Sequence, residues 1–213
     1  WTDAIAKGCK LVTGARVNQI TTNAKGLATG ATYIDRNGVE RHQAADVVIL
    51  CANGIGTPRL LLLSASDAHP DGLANSSGLV GRNLMMHPYA AASGVYDEPL
   101  ESYVGPSGHA IQTFEFYETQ QDRGFVRGAK WQVMPSGGPL GLRAGYSDAA
   151  LDDVWGDNFH RRIKKVTGHT FEWGITAEDL PDPENRVVLD STLTDSDGIA
   201  APKIVYKSSE NTD

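Results

Sequence analysis

A largely apolar run, Ala45 to Cys51 (ADVVILC), passes straight through Ala52-Asn53-Gly54-Ile55-Gly56 into Thr57-Pro58-Arg59-Leu60-Leu61-Leu62-Leu63-Ser64. No other stretch restricts the fold so sharply. The run reads as a strand buried on both faces, as parallel strands under helices are. After it, Thr57 reads as a helix N-cap with Pro58 at the first helical position, and Gly54 and Gly56 supply the tight turn between. A helix N-terminus leaves its first amide protons unpaired and carries about half a positive charge, so this turn suits the phosphates or ribose of a nucleotide. On spacing alone a plain chain reversal fits equally well.

Upstream, Thr2 to Lys10 suits the last turns of a helix closed at Gly8. Between Lys10 and Asp35, short β-rich runs broken by Gly14, Gly26 and Gly30, with Asn37-Gly38 as a two-residue hairpin signal, predict three short antiparallel strands. Downstream, alternation over His109 to Phe116, Gly124 to Met134 and Gly168 to Ala177 predicts an antiparallel sheet with one solvated face. Asp148 to Thr167 predicts one or two amphipathic helices lying over it.

The formal charge of −7 and the lack of any Lys/Arg cluster argue against nucleic acid as the main ligand. No apolar run reaches the roughly 18 residues of a membrane span. Cys9 and Cys51 show no CxxC spacing and read as buried free thiols. His42, His69, His109, His160 and His169 have no metal-ligand spacing and read as solvated imidazoles, so no metal is expected. Met85 and Met86 read as core filler. The acidic turn Glu178 to Glu184 and the serines Ser64 and Ser66 lack the arrangements that hydrolases need.

The stretch Ala52 to Ser64, followed by Gly78-Leu79-Val80-Gly81-Arg82-Asn83-Leu84-Met85-Met86-His87-Pro88, resembles the second signature region of the glucose-methanol-choline (GMC) oxidoreductases. Further on, Glu178-Asp179-Leu180-Pro181, Asn185 to Asp190 and Asp197 to Ile204 are similar to the run that leads the family's substrate domain back to its flavin domain. The nearest-looking branch holds gluconate and polyol dehydrogenase flavoprotein subunits. Asn53 stands where the family commonly has Gly, and Ala65-Ser66-Asp67 replaces a Gly-aliphatic-Gly continuation. Asn is the residue after glycine that best tolerates a left-handed backbone, so the turn survives the exchange.

The resemblance implies FAD as cofactor, an alcohol as substrate (a sugar, sugar acid or polyol) and, for the full enzyme, an electron-acceptor subunit as partner. It places Val17 at the adenine edge through its main chain, Ala52, Asn53 and Gly54 along the adenosine ribose and pyrophosphate, and Thr57 and Pro58 at the start of the facing helix. His87 falls where the family chain passes close to the flavin. The family's GxGxxG and its late histidine pair have no counterpart here, so the chain reads as an internal piece with no catalytic residue of its own, inactive if isolated. The fold expected is α/β (α+β overall): a partial FAD-binding Rossmann-like domain over 1–88, an antiparallel-sheet substrate domain with helical cover over 89–185, and a return segment over 186–213. A bacterial cytoplasm or the periplasmic face of a membrane is the expected setting. The aromatic-rich middle also fits a β-rich carbohydrate-binding or interaction domain without redox activity.

Overall fold

The computed structural model describes residues 1–101, 104, 111–135, 156 and 158–212. It is a mixed α/β chain with antiparallel ladders and few helices, divided into two compact units: Trp1–Met85 with Pro181–Lys207, and Met86–Leu180 with Ser208–Asp213.

In the first unit, helix α1 (Thr2–Ala6) precedes three strands, β1 (Arg16–Thr22), β2 (Ala28–Ile34) and β3 (Glu40–Ala44), which form one sheet in the order β1-β2-β3. The runs around Val17 and Ile20 merge into a single strand because an irregularity between Val17 and Gln19 absorbs the extra residue. Asn37-Gly38 sits inside a longer turn than a two-residue hairpin. Asp35 accepts the amides of Asn37 and Val39 on its carboxylate, and Gly38 adopts φ 72°.

Helix α2 (Asn53–Leu63) packs on β1 and on the two-stranded sheet of β8 (Arg186–Thr194) and β9 (Ala200–Val205). Ile20, Leu60, Val187 and Ile199 are buried in this unit. Ser64, at the end of α2, ties helix to strand: its hydroxyl donates to the Leu60 carbonyl at 2.7 Å and accepts the Ile20 amide at 2.9 Å. Arg59 ties the same helix to the second hairpin, with Nε donating to the Ala200 carbonyl at 2.8 Å and Nη2 to Asp195 Oδ2 at 2.8 Å.

The expected buried strand over Ala45–Cys51 is not formed. Val47 and Ile49 are 75% and 81% exposed, because no described strand lies beside the segment to supply a ladder or cover its faces. Cys51, like Cys9, is free but exposed rather than buried, and Met85 and Met86 are exposed rather than core.

The second unit is built on a four-stranded antiparallel sheet, β4 (Tyr89–Val95), β5 (Ile111–Thr113), β6 (Ala129–Pro135) and β7 (Thr170–Ala177), in the order β4-β7-β6-β5. Trp131 lies opposite Ile175, and Val133 opposite Trp173, so their side chains share one face. Phe116, Trp131, Trp173, Phe171 and Tyr96 continue as a chain of ring contacts, with successive centroids 6.0, 6.3, 5.8 and 4.9 Å apart. Asp179 gathers the ends of the unit, accepting the Met86 amide at 2.9 Å and the Thr212 hydroxyl at 3.1 Å. Helical cover is not evident: among the described residues the unit holds one α-helix, α3 (Phe159–Val166), and a 3-10 turn at Gln121–Arg123. The expected helical residues before 156 lie outside the described residues. Ile163 and Val166 of α3 are buried.

Candidate functional site

The start of α2 is set by Asn53. It adopts φ 61°, and its Oδ1 accepts the amides of Ile55 at 2.9 Å and Gly56 at 3.0 Å. The helix therefore begins four residues before the expected N-cap, and Thr57 and Pro58 lie within it. A side-chain acceptor at Asn53 satisfies two of the first orphan amides, which outweighs the poor helix propensity of the two glycines. The left-handed backbone falls on Asn53 and not on Gly54 or Gly56. A Cβ at Gly54 would meet nothing within 4 Å, so the first turn opens onto free space, while one at Gly56 would crowd the Ala52 Cβ at 3.1 Å.

Beside this turn is a cleft of about 600 Å³ whose lining includes Gly14, Val17, Asp35, Ala52, Gly56 and Asp197. Val17 and Ala52, far apart in sequence, thus share one cavity. Strand β1 is an edge strand, and the Ile20 amide already turns away from β2 toward Ser64. Strand alternation, adjusted for the extra residue after Val17, puts the Val17 N–H and C=O on the same open edge. Gly54, Thr57 and Pro58 line a separate groove of about 300 Å³ with Gly81 and Asn83. Asn53 lines neither, acting instead as the cap between them. His87 is exposed and belongs to the second unit.

Two carboxylates in the cleft were not legible as site residues. In sequence Asp35 only closes the β-rich stretch that begins at Lys10, and Asp197 only opens the run that resembles the family's return to its flavin domain. In the structure Asp197 stands 3.4 Å from Arg16 at the cleft wall. The Val39 amide, with Arg41 beside it, holds the Asp35 carboxyl below the usual aspartate range. Among the described residues no cluster of His, Cys, Asp and Glu is grouped to hold a metal ion. His69 departs from the solvated reading: it is half-buried and its Nε2 is enclosed without a hydrogen-bond partner. His169 is half-buried as well, with Nδ1 3.0 Å from the Tyr96 carbonyl. His109 lies outside the described residues.

Residues 1–89 match the sequence model of the GMC oxidoreductase family. The chain is 43% identical over 213 residues to 2-methyl-1,2-propanediol dehydrogenase of Mycolicibacterium austroafricanum, covering 99% of this chain and 38% of that protein. It belongs to the GMC oxidoreductase family. Within this family it is also 33% identical over 199 residues to the fructose dehydrogenase large subunit of Gluconobacter japonicus, covering 93% of this chain and 36% of that one. A third relative, the gluconate 2-dehydrogenase flavoprotein of Pantoea cypripedii, is 32% identical over 127 residues, covering 57% of this chain and 20% of that protein. The chain thus spans a little over a third of the length of the first two GMC relatives. GMC oxidoreductases are generally FAD-binding proteins.

Proposed function

We propose that this chain forms part of an FAD-dependent enzyme that oxidises an alcohol of the sugar, sugar-acid or polyol type, and that the first unit, Rossmann-like in its complete form, holds the adenosine half of the cofactor. The observation that carries the reading is the cleft shared by Val17, Ala52 and the first turn of α2. FAD, when bound, supplies the acceptor for the hydride that leaves the carbinol carbon. The residues present fit its adenosine end. Val17 offers a main-chain donor and acceptor on an open strand edge for an adenine edge. Ala52 and Gly56 keep the cleft floor small, and the positive end of α2 begins beside it for an anionic group.

The relatives' names, which include a diol, fructose and gluconate dehydrogenase, support a polyhydroxylated small-molecule substrate. That one of them is named a large subunit supports a partner subunit that accepts electrons. The exposed side chains of Leu11, Val12, Val47 and Ile49 support further protein packing on this unit in the whole enzyme. Expression of the full-length gene, followed by the visible absorbance spectrum and dye-linked oxidation of a panel of polyols and sugar acids, tests the proposal. A flavin spectrum bleached by one of these alcohols is the expected result; a colourless, inactive full-length protein overturns it.

A further inference from the structure

The second unit carries a cavity of its own, about 440 Å³, with Phe116, Phe125 and Trp131 as aromatic walls and Arg123, Arg127 and Glu178 as its charged groups. That size falls in the roughly 300–1,000 Å³ range of small-molecule sites. What it can bind follows from which polar groups still have capacity. The Asn211 amide is tied to the Val126 main chain, accepting its N–H at 2.6 Å and donating one of its two N–H groups to its carbonyl at 3.0 Å. The Thr212 hydroxyl is spent on Asp179. One oxygen of Glu178 accepts the Tyr117 hydroxyl in a short bond. That bond holds the Tyr117 phenol above its ordinary ionisation range, so Tyr117 stays a donor at neutral pH. The other Glu178 oxygen is left to accept.

The two guanidiniums have more to give. Arg123 Nη1 donates to the Phe116 carbonyl at 3.2 Å while the group lies 5.5 Å over the Phe116 ring. Arg127 Nη1 donates to Glu118 at 2.9 Å and lies 5.5 Å over the Tyr117 ring. A guanidinium has five N–H donors, so each keeps most of its capacity and is oriented by the ring beneath it. Glu118 is largely exposed, and its pairing with Arg127 is screened accordingly.

We propose that this cavity binds a small hydroxy acid. Its carboxylate sits on Arg123 and Arg127, a hydroxyl donates to the open oxygen of Glu178, and its carbon chain lies along Phe116 and Trp131. Arg127 keeps Glu118 as an exposed partner and Arg123 has no carboxylate against it among the described residues, so the spare N–H donors of the two guanidiniums outnumber the single open oxygen of Glu178. That donor excess selects an acid over a neutral polyol. The site rests on the second unit alone and requires neither flavin nor turnover, so it stands or falls separately from the proposed activity.

The test uses the full-length protein and tryptophan emission, titrated with D-gluconate and with sorbitol, which has the same carbon chain without the carboxylate. A saturable response to gluconate is expected, at least tenfold weaker for sorbitol and absent in Trp131→Phe. Arg123→Gln should weaken gluconate binding at least tenfold with an unchanged melting temperature, and Arg127→Gln carries the same test should Arg123→Gln fail to fold. Equal binding of sorbitol, a response that persists in Trp131→Phe, an unchanged gluconate affinity in the folded arginine variants, or no saturable response overturns the proposal.

Discussion

Replacing Asn53 separates its two contributions, cap and backbone. Asn53→Ala removes the acceptor of the Ile55 and Gly56 amides, a loss of about 1 kcal/mol for an N-cap. It also places a Cβ-bearing residue without a polar side chain at φ 61°, which adds about 1 kcal/mol. Asn53→Gly loses the cap at a cost of only a few tenths of a kcal/mol and carries no left-handed penalty. Asn53→Asp keeps an acceptor and adds a negative charge at the helix N-terminus. The aspartate variant should therefore be about as stable as the native protein, the glycine variant slightly less so, and the alanine variant the least stable. A cost near 2 kcal/mol corresponds to about thirtyfold in a local opening equilibrium. Hydrogen–deuterium exchange of the amides of α2 in the full-length protein reads this directly. Exchange in the alanine variant as slow as in the glycine variant would refute the assignment of Asn53 as the residue that starts the helix.

Two further perturbations probe the framework. Burial opposes the charge of Asp195, but Arg59 and the amides of Ile199 and Asp197 outweigh it and hold the carboxyl below its ordinary value. A depressed carboxylate adds stability above the unfolded pKa of about 3.9 and loses it as pH falls through the folded value, so melting temperature should drop steeply below about pH 4 in the wild type. Asp195→Asn should flatten that drop and cost about 2 kcal/mol at neutral pH through loss of a charge-assisted bond; an unchanged acid profile would contradict the pairing. Gly81→Ala forces a Cβ to within 2.2 Å of the Val187 carbonyl oxygen at φ 81°, a clash against main chain in the buried part of β8 that no side-chain rotation relieves. It should cost more than about 3 kcal/mol or abolish soluble expression, and a near-native melting curve would show that the Gly81 contact is not formed.

Strands β1 and β2 were legible because glycines punctuate short β-rich runs, and Asn37-Gly38 marked the reversal, whereas the third strand, Glu40–Ala44, lies beyond the Lys10–Asp35 stretch in which three strands were expected. The sheet of the second unit was legible where polar and apolar residues alternate. Strand β4 was not, since Ala90, Ala91, Ala92 and Gly94 carry little β preference and the strand exists through its full register with β7. Ala45 to Cys51 misled because an apolar run specifies burial without specifying what buries it. The helix start was displaced because Thr57-Pro58 is a strong local signal, yet a side chain four residues earlier already satisfied the amides. Of the cleft, Val17 and Ala52 were indicated through family resemblance, whereas Asp35 and Asp197 enter it only through turn geometry that spacing does not encode.

The central claim, that the main chain of Val17 holds the adenine end of FAD, is most directly tested by FAD content per polypeptide in the full-length protein. Val17→Ala keeps the main chain, whereas Val17→Pro removes one donor from an open edge where proline is compatible with a strand. The account predicts near-complete FAD in Val17→Ala and at least a tenfold loss in Val17→Pro. Full flavin occupancy in a folded Val17→Pro protein would contradict it.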